Sequence, residues 1–272
     1  MTDAPRITLV CFGLVGTLVA DAGVIELAFG EAVATQGVVS GTSAFARAMA
    51  QVHRARGQAP ADVMAAVFPG NVARAQAALL AFERSLAGAV DRTAMTPVPG
   101  AGEVLAGLAD AGIRTCVTTM LPRRQLTLTL EAVGWADRIP VALTVDDVPR
   151  GCPFPDLALA AMLRTGVDDV RELMMVHGTA AGVECGRRAG AQAAVGVLTG
   201  PHPEARLTAA GATHVISSVS GLPGVLASIG PRRAAHPAGG GQGERATRAA
   251  VAEPPGAVFP PQMPARRRNT EL

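Results

Sequence analysis

Short apolar runs of about five residues alternate with longer stretches of helical periodicity through most of this sequence. The first run, residues 7–12, is almost wholly apolar and contains β-branched residues, a pattern typical of a strand buried on both faces of a parallel sheet. Further runs predict strands at residues 113–117, 140–144, 173–176, 193–198 and 213–216. This alternation predicts an α/β fold with one parallel sheet and right-handed crossovers.

The stretch from residue 22 to residue 96 breaks the alternation because it contains no strand pattern. Its apolar spacing predicts helices at residues 24–35, 43–56, 61–68 and 72–89. It is too long for a crossover connection and too regular in its apolar positions for a loop. We therefore expect a helical cap, inserted after the first strand and lying over the carboxyl edge of the sheet.

Domain boundaries follow from these patterns. Residues 1–21 and 97–230 are expected to form the α/β core, and residues 22–96 the helical cap. Core helices are predicted at residues 101–111, 122–134, 155–165, 180–189, 203–210 and 222–228. Residues 231–272 are rich in Pro, Gly and Arg and poor in apolar residues, so we expect a disordered tail.

Composition narrows the class of protein. The chain is 49% hydrophobic, which is enough for a core, and its four cysteines show no paired spacing that would predict a zinc site or a disulfide framework. No apolar run approaches the roughly 18 to 20 residues that span a bilayer, and the first residues lack the layout of a secretory signal. We expect a cytoplasmic protein without a membrane partner.

The distribution of charge along the chain argues against a nucleic-acid-binding protein. The tail holds seven Arg and three Glu, which gives +4, so residues 1–230 carry −2 of the net +2. A mildly acidic body gives no reason to expect nucleic-acid binding, and the sequence identifies no protein partner. All 24 basic residues are Arg, because the chain contains no Lys.

The turn after the first strand is the most informative segment. Gly13 ends an apolar strand, and Val15, Gly16 and Thr17 follow in a tight turn where Gly16 supplies backbone freedom. In open α/β sheets, ligands bind at the carboxyl ends of strands. The segment resembles the first motif of the haloacid dehalogenase superfamily of phosphohydrolases, in which an apolar strand precedes Asp, any residue, Asp or Ala, Gly, Thr and Leu or Val.

Three further segments are similar to that superfamily's motifs and follow in the same order. Residues 112–119 resemble an apolar strand that ends in Thr, residues 146–156 a Gly-Arg/Lys-Pro-x-Pro-Asp segment, and residues 175–191 a Val-Gly-Asp-Thr segment. The helical cap makes the phosphonoacetaldehyde-hydrolase-like branch the most similar. The resemblance implies a Rossmannoid parallel sheet with a helical cap.

The resemblance also implies a chemistry that needs charged groups. In the family an Asp attacks phosphorus, acidic residues hold Mg²⁺, and a Lys or Arg neutralises the phosphoryl oxygens. The matching positions carry other residues here: Gly13, Val15, Cys152, Gly178 and Gly182. Thr118 remains as a phosphate-binding hydroxyl, and the other candidates for phosphate binding are Thr119, Gly16 and Thr17.

The branch forms a Schiff base with a cap Lys, and Pro60 stands at about that position. The candidates to substitute for the lost groups are Asp146, Asp147, Arg150 and His177. The two Asp residues are alternatively loop carboxylates that cap a helix or fix a turn. Arg150 is alternatively a surface residue.

His177 at a strand end is a candidate general base or soft-metal ligand. Cys152 as a nucleophile has no evident base partner, which favours a passive thiol. We expect a catalytically inactive homologue that keeps a cleft for a small phosphorylated or anionic ligand, or that acts as a binding or regulatory protein, with no cofactor. The alternative is a phosphonatase-like hydrolase with rearranged catalytic residues, which would use Mg²⁺.

Overall fold

The computed structural model describes residues 7–90 and 95–229 of the chain. The predicted tail lies outside the described residues. In chain order the strands are β1 (Leu9–Gly13), β2 (Val19–Ala20), β3 (Thr96–Pro97), β4 (Arg114–Thr118), β5 (Ala142–Leu143), β6 (Leu173–His177), β7 (Ala193–Val197) and β8 (His214–Ile216). The α-helices are α1 (Val24–Thr35), α2 (Ser43–Ala55), α3 (Pro60–Val67), α4 (Val72–Val90), α5 (Ala101–Asp110), α6 (Arg123–Ala132), α7 (Asp156–Thr165), α8 (Ala180–Ala189), α9 (Glu204–Ala209) and α10 (Leu222–Ile229).

Six strands form one parallel sheet in the order β5-β4-β1-β6-β7-β8. β1 is central, and its five residues are buried, as the apolar run predicts. Gly13 pairs with Thr118 on β4, and Phe12 pairs with Val176 on β6. Gly13, Thr118 and His177 therefore meet at one carboxyl edge of the sheet. The predicted α/β fold is confirmed.

The four helices predicted between the first and second core strands are α1 to α4. α1 and α4 pack together, and the rings of Phe29 and Phe82 stack with their centroids 4.2 Å apart. α3 begins at Pro60, where a missing N–H leaves no helical hydrogen bond unmade. β2 and β3, which the sequence pattern did not predict, pair antiparallel where the chain leaves the core and returns to it.

The edge strand β5 is shorter than the predicted strand at residues 140–144. The chain turns at Thr144, which caps a single 3₁₀ turn, Val145–Asp147, through its side chain. A local hydrogen-bonding residue thus competes with the sheet and ends the strand early.

The face of the sheet that packs on α7 and α8 carries sulfur-rich side chains. Cys11, Cys116, Cys152 and Cys185 are buried free thiols within one apolar cluster. Within residues 7–90 and 95–229, no helix is long and apolar enough to cross a bilayer.

Candidate functional site

A cavity of about 100 Å³ lies between the carboxyl edge of the sheet and the cap. We define its core wall by Gly13, Thr118, Cys152, His177 and Gly178, and its cap wall by Ile25, Phe29, Arg56, Pro60 and Phe82. Val15, Thr17 and Thr119 also line it. Four of the five positions singled out by the resemblance, Gly13, Val15, Cys152 and Gly178, thus line one cavity, whereas Gly182 does not.

The turn after β1 is joined to the segment after β6. Gly16 has φ +76°, the left-handed conformation that glycine adopts readily. Its carbonyl accepts a hydrogen bond from the Thr199 hydroxyl at 3.0 Å. Thr17 accepts a hydrogen bond from the Gly178 N–H, also at 3.0 Å. Gly16 and Thr17 therefore brace the turn, and Thr17 contributes its buried hydroxyl to the cavity edge as well.

His177 fills the middle of the core wall. Its Nε2 lies 3.1 Å from the Thr118 hydroxyl oxygen, and its side chain is buried. Burial lowers the pKa of His177 to about 4, because removal from water disfavours the charged imidazolium. The ring is therefore neutral at pH 7, and the core wall gains no cation from it.

The imidazole of His177 occupies the space beside two motif glycines. A Cβ added at Gly13 would lie 2.7 Å from His177 Nδ1 and 2.8 Å from the Thr17 hydroxyl oxygen. A Cβ added at Gly182 would overlap the ring and would lie 2.8 Å from the His177 Cβ. Real Cβ atoms are not found at such distances, so larger residues at these two positions are incompatible with the present His177 rotamer.

Gly178 is restricted by backbone rather than by a side chain. An added Cβ would lie 2.6 Å from the Gly16 carbonyl oxygen and 2.6 Å from the Gly200 Cα. Neither atom can turn aside as a flexible side chain can. A carboxylate at Gly178 therefore requires the loop after β7 to move.

Cys152 stands where the family resemblance puts a cation. Its backbone N–H points at the Met120 sulfur, 3.2 Å away, and its side chain is buried. The hydrogen bond to the Cys185 side chain and burial raise the pKa of the Cys152 thiol well above its ordinary value. Since the thiolate is the nucleophilic form, Cys152 is an inert neutral group at pH 7.

Asp146, Asp147 and Arg150 are engaged outside the cavity. Asp147 completes a capping box with Thr144 and pairs with Arg123, whose charge, together with those hydrogen bonds, keeps the carboxyl pKa low despite partial burial. Asp146 accepts the Arg123 backbone N–H at 2.9 Å. The structure gives these two side chains the capping role that the sequence allowed as an alternative.

Arg150 binds Asp156 through two nitrogens, at 3.2 and 2.9 Å, and stacks over the Phe154 ring. Its side chain is 55% exposed. Arg150 is therefore a surface residue and does not replace the missing cation at Cys152.

The donor set of the cavity does not fit the Mg²⁺ that the family implies. Mg²⁺ prefers carboxylate and other oxygen ligands in octahedral geometry. The residues lining this cavity include no Asp or Glu, and the described part of the chain contains no group of three His, Cys, Asp or Glu residues arranged to hold a metal. Neutral His177 occupies the volume beside the two glycines instead.

Arg56 is the site residue that sequence reasoning missed. It follows α2, lines the cap wall and has a side chain only 14% exposed. Its Nη1 lies 3.5 Å from Glu26, a carboxylate that lies outside the cavity lining. No motif marks Arg56; the available signal was its position next to the Gly57–Pro60 segment where the branch has its cap Lys.

Several contacts fix the cap over the core near Arg56. Gly57 has φ +92°, and a Cβ there would lie 2.6 Å from the Thr179 hydroxyl oxygen. Arg206 on α9 donates to the carbonyls of His53 and Arg54, at 3.3 and 2.5 Å, beyond which α2 ends. These contacts on both sides place Arg56 over the cavity.

Comparison with known proteins gives matches along most of the residues that the structure describes. The sequence profile of a family described as haloacid dehalogenase-like hydrolase matches residues 7–190. The phosphonoacetaldehyde hydrolase of Bordetella pertussis is 33% identical over 165 residues. That alignment covers 51% of this chain and 59% of the relative, so the chain spans only about three-fifths of the relative's length.

Two solved structures share the fold. A hydrolase from Pseudomonas syringae superposes with a TM-score of 0.71 at 24% identity, covering 82% of this chain and 99% of the other. A phosphonoacetaldehyde hydrolase-like protein from Oleispira antarctica superposes with a TM-score of 0.70 at 22% identity, covering 84% of this chain and 94% of the other. At these identities the likeness concerns the fold alone.

Proposed function

Because the chain belongs to the haloacid dehalogenase-like hydrolase family, we propose that it is a non-hydrolytic member that binds a small phosphorylated or otherwise anionic molecule in the cleft between core and cap. One observation carries the proposal: the His177 ring occupies the space that side chains at Gly13 and Gly182 would need. Those are the positions where the family resemblance puts the nucleophile and a metal-binding acid.

The magnitudes support a loss of turnover. Removing one member of a catalytic unit costs about 10⁴ to 10⁶ in rate, and the members do not act additively. Here Gly13, Gly178 and Gly182 lack carboxylates, and Cys152 lacks a charge. Phosphate-monoester hydrolysis also has one of the largest uncatalysed barriers. Thr118 and neutral His177 do not supply a nucleophilic carboxylate or a metal ligand set.

Binding remains chemically reasonable because the cleft contains polar groups and a cation. The Thr118 and Thr119 side chains line the core wall and its rim, and Arg56 lines the cap wall. The loss of the carboxylates removes groups that would repel an anion. The free thiols of all four cysteines support the further proposal that the protein works in the reducing cytoplasm.

A second candidate is a phosphonatase-like hydrolase with rearranged catalytic groups. The 33% identity to a phosphonoacetaldehyde hydrolase favours it, and so does the His177–Thr118 pair that lines the cavity. In that case Mg²⁺, or another way of activating water, would have to act through residues other than the motif positions.

Turnover by the purified full-length protein separates the two candidates. Phosphonoacetaldehyde and a panel of phosphomonoesters would be incubated with and without Mg²⁺, and phosphate release measured. The binding proposal predicts no release above the uncatalysed rate under either condition. Metal-dependent release that is abolished by His177→Ala would establish the hydrolase candidate, and release unaffected by that change would point to a contaminating phosphatase.

A further inference from the structure

We propose that Arg56 is the anion-binding residue of the cleft and that it selects a small monoanion, a carboxylate on a short apolar body, over a phosphate dianion. This inference rests on the proposed binding function and names its ligand class. It follows from the charge, the burial and the walls of the cavity.

Among the residues that the structure describes, Arg56 is the only one lining the cavity that is charged at pH 7. His177 is neutral because burial lowers its pKa to about 4, and the Cys152 thiol is neutral because its pKa is raised. An anion entering the cavity therefore meets one full positive charge. The planar guanidinium also matches a carboxylate through two parallel hydrogen bonds.

The guanidinium of Arg56 is available to a ligand. Among the described residues it forms one ion pair, with Glu26, and the 3.5 Å separation is longer than a charge-assisted hydrogen bond. Glu26 is 46% exposed and also lies 3.3 Å from His53 Nε2. A long pair whose carboxylate is exposed to water contributes little, so a ligand carboxylate inside the cavity can compete for Arg56.

Other donors near the core wall are already engaged. The N–H of Gly178 is accepted by Thr17, that of Ala180 by His202 and that of Gly182 by Thr179. The N-terminal end of α8 therefore offers an anion fewer free donors than its position suggests. The Thr118 hydroxyl is also engaged, by the Phe12 carbonyl and His177 Nε2. Recognition of the anion therefore depends on Arg56, with the Thr119 hydroxyl in support.

The charge balance favours a single negative charge. A phosphate monoester is largely dianionic at pH 7, since its second pKa is about 6. One guanidinium cannot neutralise a dianion that has lost its water, and an uncompensated buried charge is costly. A carboxylate is neutralised completely by Arg56.

The remaining walls and the size of the cavity favour a short apolar body. Phe29, Phe82 and Ile25 are buried on the cap wall, and Leu121 and Leu157 lie on the core side. An apolar cavity of about 150 Å³ accommodates benzene, so the present volume of about 100 Å³ suits a compact aliphatic chain. A four-carbon acid has the required dimensions.

Titrations of butanoate, its neutral isostere butanamide, ethyl phosphate and inorganic phosphate against the full-length protein test the inference. We expect butanoate to bind at least about tenfold more tightly than butanamide or ethyl phosphate, as a charge-assisted pair predicts. Arg56→Gln should weaken butanoate binding by about 10- to 100-fold, and Arg56→Lys by less, because Lys keeps the charge but not the planar fork.

Arg150→Gln is the matched control, because it removes an exposed Arg that does not line the cavity, and it should leave all four affinities unchanged. Unaltered melting temperatures of the variants would show that folding is intact. Butanoate binding that survives Arg56→Gln, or tighter binding of ethyl phosphate than of butanoate, overturns this inference and leaves the proposed binding function standing. If none of the three anions binds, the proposed function fails as well.

Discussion

The core wall and the cap wall face each other across one small cavity, yet they present different groups. On the core wall, Gly13, Cys152 and Gly178 stand where the family resemblance puts charged residues, and neutral His177 fills the space beside Gly13 and Gly182. On the cap wall, apolar side chains surround Arg56. Among the described residues that line the cavity, the core wall thus carries no charged side chain, while Arg56 places a cation on the opposite side.

This difference separates two requirements that active sites usually combine: the geometry that brings residues together and the charges that the chemistry needs. Gly13 and Thr118 are brought together by the backbone pairing of two parallel strands. This pairing does not depend on which side chains the two positions carry. Chemistry needs particular charges at those positions. A ligand-binding role needs only complementary charge and shape, and Arg56 on the cap can supply the charge.

Restoring charged residues to the core wall should have the largest effect. We expect a variant with Gly13→Asp, Cys152→Arg, Gly178→Asp, Gly182→Asp and His177→Gly to gain Mg²⁺-dependent phosphomonoester hydrolysis, at least about 10³-fold above the unmodified protein. The substitution of His177 is required because its ring would collide with side chains at Gly13 and Gly182, and the loop after β7 must also move to admit the carboxylate at Gly178. Phosphate release measures the gain.

The matched control is the same variant with His177 retained, which should show no turnover. Equal activity of the two variants would show that the ring moves aside freely and that it is not the obstacle described above. Single substitutions should also be inactive, because the nucleophile and the metal ligands act as a unit.

A double-mutant cycle measures the collision itself. Gly182→Ala should lower the free energy of unfolding by about 2 to 3 kcal/mol, as overpacking of a tight interior does. In a His177→Gly background the same substitution should cost less than about 1 kcal/mol, because both the ring and the Cβ that lies 2.8 Å away are gone. Chemical denaturation of the four proteins gives the coupling. Equal costs in both backgrounds would contradict the contact.

We expect the free energy of unfolding to fall in acid, because His177 is buried and neutral in the folded protein. His177 has a folded pKa of about 4 against about 6.5 unfolded, so the unfolded chain binds more protons between these values and stability falls as pH drops through this window. From pH 7 to pH 5 the expected loss from His177 is about 2 kcal/mol.

Burial also lowers the pKa of His202 to about 4, so that residue contributes in the same direction. His177→Gln should therefore reduce the pH dependence without abolishing it. The free energy of unfolding at the two pH values tests this. A pH dependence unchanged by His177→Gln would mean that the imidazole is charged or hydrated in the folded protein.

The smallest effect concerns how the cap wall is held. Arg206→Gln removes hydrogen bonds to the carbonyls of His53 and Arg54, which lie at an exposed junction. We expect a loss of stability below about 1 kcal/mol and a two- to threefold weaker affinity for butanoate. Arg171→Gln, which removes an exposed Arg bonded to Asp169, should not change the affinity. An unchanged affinity in Arg206→Gln would show that Arg56 is positioned without this contact.

The sequence predicted much of the frame because burial on both faces of a strand leaves a plain apolar pattern. β1, β6 and β7 and the four helices of the cap region appear close to their predicted bounds. The strand predicted at residues 140–144 is longer than the observed β5, because the apolar pattern does not reveal that Thr144 caps a turn. The strands β2 and β3 have two residues each, which is too short to show the alternation of apolar and polar residues that predicts a strand.

The cavity was less predictable, for physical reasons. The convergence of Gly13, Thr118 and His177 follows from parallel strands that end at one edge. The overlap between the His177 ring and the space at Gly182 depends on a rotamer, and no residue pattern encodes it. Arg56 reaches the cavity only through tertiary packing of the cap, so motif comparison directed attention to Pro60 instead.

Thermal unfolding of the full-length protein shows whether the cleft binds an anion without a metal. Butanoate at about ten times a dissociation constant of about 10⁻³ M should stabilise by about 1.4 kcal/mol and raise the melting temperature by about 3 to 5 °C. Mg²⁺ up to millimolar concentration should change nothing, alone or with the anion. A shift at micromolar Mg²⁺, or no shift with any anion, would contradict the account.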